Sequence, residues 1–106
     1  MAEHAIAKFS GHFLDNLKIK SDMVRICAEH HLNVLNIIEH EFWPVGYTVM
    51  FLLAESHFSF HSEPENNLAY LDCFTCGSSI DPVKVLEDLA QLMDAKVLSK
   101  TLLHRK

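Results

Sequence analysis

Two rhythms organise the apolar positions of this chain, a strand-like alternation of two and a helical spacing of three to four. Ala5 to Phe9 reads as a short first strand, followed by a polar stretch through Lys20. Ser21 is predicted to cap a helix whose first turn carries Asp22, with Met23, Ile26 and Cys27 on one apolar face. Asn33 to Phe42, rich in Val, Leu and Ile, reads as a strand, and Pro44-Val45-Gly46 as a turn. Tyr47 to Glu55 is almost continuously apolar, which predicts a strand buried on both faces or at an interface. His57 to His61 alternates polar with apolar as a half-exposed strand does, and Leu68 to Cys76 forms another strand. Asp81 is a good N-cap, Pro82 suits the first helical position, and Val85, Leu86, Leu89, Leu92 and Met93 form a helical stripe. Lys96 to Leu103 closes the chain as a strand.

The predicted fold class is α+β, a two-layer sandwich with helices on one face of a largely antiparallel sheet. A β-α-β-β theme is used twice, the second time in the order β-β-α-β. A sheet covered on one side leaves its other face for a partner, so a homodimer is expected.

A chain of 106 residues makes a single domain, 1–106. Its net charge of −5 provides no basic field for nucleic acid or an anionic membrane, and neither is expected as a partner. The longest apolar run, Val49 to Ala54, is too short to span a bilayer, and Met1-Ala2-Glu3-His4 lacks the features of a secretory signal. A cytoplasmic protein is the expectation. Three cysteines do not make a disulfide framework. Cys73 and Cys76 form a C-x-x-C, but on a strand residues three apart face opposite ways, and no second pair would complete a zinc site. Glu29-His30-His31 and His40 lack a spacing that converges ligands, so no metal is expected.

The chemistry concentrates in Ala54-Glu55-Ser56-His57-Phe58-Ser59-Phe60-His61, followed by Phe74-Thr75-Cys76-Gly77. Serine is a poor nucleophile unless a neighbour assists it or its geometry is strained. If the Glu55–Ser56 peptide is bent, the Ser56 hydroxyl can attack the preceding carbonyl and convert the amide to an ester. β-Elimination and hydrolysis then leave a ketone in place of an amine. Taken alone, Ser56 reads as a strand-end hydroxyl, His61 as a half-exposed strand residue and Cys76 as a small buried hydrophobe.

The combined pattern overturns those readings. Glu55-Ser56-His57, His61, Pro64-Glu65, Phe74-Thr75-Cys76-Gly77 and Asp81-Pro82 together resemble the small prokaryotic form of the S-adenosylmethionine decarboxylase proenzyme family, over roughly residues 36 to 95. The resemblance implies a chain that cuts itself into 1–55 and 56–106, with Ser56 becoming a covalent pyruvoyl cofactor that forms a Schiff base with the substrate. It further implies Glu55, Ser56, Thr48 and His61 as processing residues, with His61 the base for β-elimination. Cys76 is then the acid that reprotonates the substrate carbon. Thr48 stands where the family has a serine.

The substrate has two readings. The resemblance implies S-adenosylmethionine as the family default, with Phe42 beside the adenine and sulfonium, Trp43 available as a second ring and Glu65 on the ribose hydroxyls. Ser62-Glu63-Pro64-Glu65 departs from the family's Thr-Trp-Pro-Glu. Glu63 in place of that tryptophan suggests a basic amino acid, L-ornithine or L-arginine, or else a carboxylate merely solvated in a turn. Either product would feed polyamine synthesis. A third reading is an uncut, non-catalytic binding paralogue.

Overall fold

Strand parity decides which side of the sheet each residue serves. In the computed structural model, which describes residues 2–76 and 79–105, six strands and two helices follow the order β1 (Ala2–Ser10), α1 (Asn16–Glu29), β2 (Val34–Glu41), β3 (Tyr47–Leu53), β4 (Ser56–Glu63), β5 (Leu68–Cys76), α2 (Pro82–Leu92) and β6 (Lys96–Arg105). The sheet is antiparallel throughout, with spatial order β2-β3-β4-β5-β1-β6. The α+β sandwich expected from the sequence is the fold observed.

One face of the sheet carries both helices. Phe9, Val49, Phe51, Phe58, Phe60 and Leu71 are buried there against Ile19, Met23 and Ile26 of α1 and Val85, Leu86 and Leu89 of α2. Burying a side chain of this size stabilises the fold by about 1.5–3 kcal/mol. α2 begins as its sequence predicts: Asp81 accepts from the Val83 and Lys84 amides at 3.0 and 3.2 Å, and Pro82 occupies the first turn.

Two expectations need correcting. Ser21 does not cap α1; Asp15 does, its carboxylate accepting from the Lys18 amide at 3.0 Å. The end of the polar stretch, from Asn16 to Lys20, is therefore the start of the helix. Its buried stripe is Ile19, Met23, Ile26 and Cys27, and because Leu17 is exposed only one apolar residue announces that turn. Second, β3 ends at Leu53 and is buried on one face only. Tyr47, Val49, Phe51 and Leu53 enter the core while Met50 and Leu52 remain about half exposed, at 48% and 52%. Burial on both faces, one of the two readings of that apolar run, is not met within this chain.

β2 and β3 are joined by a tight loop in which the Phe42 amide donates to the Gly46 carbonyl at 2.9 Å. Gly46 has φ +123°, a conformation closed to side chains, and a Cβ there would meet the Phe42 Cβ at 3.3 Å. The missing side chain at Gly46 thus leaves room for Phe42.

Candidate active site

The Glu55–Ser56 bond lies at a hairpin tip. Ser56 pairs with Leu53 across β3 and β4, leaving Ala54 and Glu55 as the turn. Glu55 adopts φ +64°, the left-handed region, which costs a residue with a Cβ about 1–2 kcal/mol. The Ser56 Oγ donates to the Ala54 carbonyl at a long 3.4 Å. A strained residue immediately before a weakly engaged serine hydroxyl fits the rearrangement expected of this bond. β4 and β5 pair His57 with Phe74, and continuing that register sets Ser56 opposite Thr75 and Glu55 opposite Cys76. Glu55, Ser56 and Cys76 therefore share one end of the sheet.

Thr48 and His61 form a second cluster. They are a cross-strand pair with the Thr48 Oγ1 2.5 Å from the His61 Nδ1. The Phe42 ring stands edge-on to His61 at 6.2 Å and to His40 at 4.5 Å. His61 is five residues along β4 from Ser56, or about 17 Å at the rise of a strand. It also has the opposite parity, so the motif's base is not beside its nucleophile within one chain.

Glu63 is half-buried at the end of β4, where its carboxylate accepts from the Asn66 amide at 2.7 Å and from the Tyr70 hydroxyl at 3.5 Å. Glu65 lies in the short turn Pro64–Asn66 and is exposed. Trp43 is 94% exposed in the β2–β3 loop. A concavity of about 490 Å³ opens on the uncovered face over β4, β5, β1 and β6, lined by Lys8, Ser59, His61, Tyr70, Asp72 and Thr101 among others. Its volume falls in the range of small-molecule sites. Gly77, the last residue of the second motif, lies outside the described residues.

The cysteines divide as strand parity requires. Cys73 is buried and Cys76 exposed. Burial pushes the Cys27 thiol up to about 11 and the Cys73 thiol up to about 12, the latter with smaller contributions from Cys27 and Asp72. Both remain unreactive thiols at neutral pH.

Sequence reasoning missed one cluster on the open face. His4, His57 and Asp72, from β1, β4 and β5, bring ligand-type atoms within 4.8 Å of one another. The His4 Nε2 lies 2.5 Å from the Asp72 carboxylate and the His57 Nε2 3.5 Å from it, while His57 stacks on Phe74 at 5.4 Å. Arg105 donates to the His4 Nδ1 at 3.4 Å, which leaves the Nε2 to donate to Asp72. The arrangement is a hydrogen-bonded brace across three strands at the Ser56 end. No local spacing announces it, since His4 and Asp72 are 68 residues apart.

Comparison with known proteins decides the family. Residues 4–106 match the family described as S-adenosylmethionine decarboxylase. The chain belongs to the S-adenosylmethionine decarboxylase family. The chain is 32% identical over 100 residues to the S-adenosylmethionine decarboxylase proenzyme of Thermotoga petrophila, covering 91% of this chain and 77% of that one. It is 43% identical over 61 residues to S-adenosylmethionine decarboxylase proenzyme 2 of Bacillus cereus, covering 58% of this chain and 50% of that one. The crystal structure of the adenosylmethionine decarboxylase from Aquifex aeolicus superimposes with a TM-score of 0.87 at 25% identity, covering 99% of this chain and 90% of that one. The chain spans 50–60% of the length of the first curated relatives it matches. The family reading taken from the motifs is thus borne out.

Proposed function

We propose that this chain is a self-processing, pyruvoyl-dependent decarboxylase acting on S-adenosylmethionine. The observation that carries the reading is the strained Glu55 immediately before Ser56, in a chain of this family. In processing, the Ser56 Oγ bonds to the Glu55 carbonyl carbon as the C–N bond breaks, and the hydroxyl proton passes to the nitrogen. His61 then removes the Ser56 Cα proton, the Glu55 carboxylate departs, and hydrolysis releases ammonia. Fragments 1–55 and 56–106 result. The pyruvoyl group supplies a ketone that takes up the substrate amine and an electron sink for the pair left when carbon dioxide departs. Cys76 returns a proton to the carbon that lost the carboxylate. Phe42, beside His61, and Glu65 hold the substrate.

A separation of about 17 Å between Ser56 and His61 along β4 supports a two-copy assembly. Two chains packed open face to open face, with strands running oppositely, would bring the Thr48–His61 pair of one to the Ser56 end of the other. Ile38, Met50, Leu52 and Ile6, exposed on that face, give it apolar surface to bury. Glu63, the residue that suggested a basic amino acid, is already engaged by Asn66 and Tyr70, and no relative named above is described as acting on one.

The test is denaturing mass analysis with a carbon dioxide assay. Purified protein should give two fragments split before residue 56 and release carbon dioxide from S-adenosylmethionine. Ser56→Ala should remain one chain and be inactive. A wild-type chain that stays uncut would sink this reading and favour a non-catalytic paralogue.

A further inference from the structure

Ser62 and Thr75 are the buried polar side chains among the described residues, and they differ in one respect. Ser62 uses its hydroxyl, accepting from the Tyr47 amide at 2.9 Å. Thr75 is 1% exposed, and its Oγ1 has no partner among the described residues. An unmatched buried hydroxyl is a standing penalty to stability, and a valine of nearly the same shape would remove it. Its retention calls for a use.

Position supplies one. The β4–β5 ladder pairs His57 with Phe74, and one further step along it sets Thr75 opposite Ser56, where facing Cβ atoms on neighbouring strands lie about 5 Å apart. The partner of Ser56 on β3, Leu53, is buried on the helix side, the same side as Thr75. The hydroxyl thus lies on the same side of the sheet as the Ser56 side chain and out of bulk water.

We infer that the Thr75 hydroxyl is the hydrogen-bond donor that meets the Glu55 carbonyl oxygen as Ser56 attacks. The inference rests on the self-processing reading above. As the Ser56 Oγ–carbon bond forms, negative charge gathers on that oxygen; it is relieved when the C–N bond breaks and the serine proton passes to nitrogen. Thr75 keeps its own proton throughout. A fixed donor in a water-poor site stabilises such charge well, because nothing must reorganise to meet it.

The experiment follows cleavage of freshly purified chain by mass, with hydroxylamine added to trap the ester, in wild type, Thr75→Val and Thr75→Ser. Thr75→Val should form ester and fragments about 100-fold more slowly. Thr75→Ser should remain close to wild type. Thermal melting in the uncut Ser56→Ala background should show Thr75→Val at least as stable as threonine. Thr75→Val cleaving at the wild-type rate, or melting below its threonine parent, overturns the inference. So does Thr75→Ser cleaving as slowly as Thr75→Val. If wild type itself stays uncut, the self-processing reading fails and this inference with it. If wild type cuts and Thr75→Val cuts equally, the inference alone fails.

Discussion

β4 feeds both faces of the sheet with alternate residues. Phe58, Phe60 and Ser62 point into a core sealed by two helices, while His57, Ser59 and His61 stand on a face with no layer above it. The covered face is almost wholly apolar, and its one unmatched hydroxyl is Thr75 among the described residues. The open face interleaves imidazoles, a carboxylate and a thiol with exposed Met50 and Leu52. Thr75 apart, a substitution on the covered face should therefore register mainly as lost stability. On the other it should register as lost chemistry or assembly.

The largest effect should come from pairing two dead chains. Ser56→Ala and His61→Ala are each expected to be inactive alone. If the open faces pack together and exchange His61, coexpression should restore about a quarter of wild-type sites, since half of random dimers are mixed and each holds one intact site. Carbon dioxide release with no recovery would show that the open face does not complete a site between copies. On the covered face, Phe60→Ala should destabilise the fold by about 3–5 kcal/mol in urea titration. Leu52→Ala should change monomer stability by under about 0.5 kcal/mol yet shift sedimentation toward monomer. A core-sized loss at Leu52 in the monomer would erase the distinction. The smallest effect contrasts two cysteines. Cys73 and Cys27, raised to about 12 and about 11 by burial, form thiolate only as pH climbs toward those values. Iodoacetamide at pH 8 should therefore label Cys76 alone, read by peptide mass.

Local signals were legible in the sequence and long-range ones were not. α2 was readable because cap, first-turn proline and apolar stripe agree within a dozen residues, and β5 because its ends coincide with turn residues. α1 was misplaced because the turn after Asp15 buries only Ile19, so polarity outvoted the cap. The motif named candidate residues of the site, but a linear pattern conceals that Ser56 and His61 differ in parity and lie several residues apart on a straight strand. Thr75 was visible as a letter of Phe-Thr-Cys-Gly; its unmatched hydroxyl is a property of packing. The brace of His4, Asp72 and His57 depends on β1 lying beside β5, a pairing no periodicity encodes.

That same pairing governs what scission would do. Severing the chain before Ser56 leaves β1, β2 and β3 on one piece and β4, β5 and β6 on the other. In the sheet, β1 is wedged between β5 and β6, while β3 borders β4. The two pieces are dovetailed, held at three seams by backbone hydrogen bonds, so scission there would break a covalent link without releasing either half.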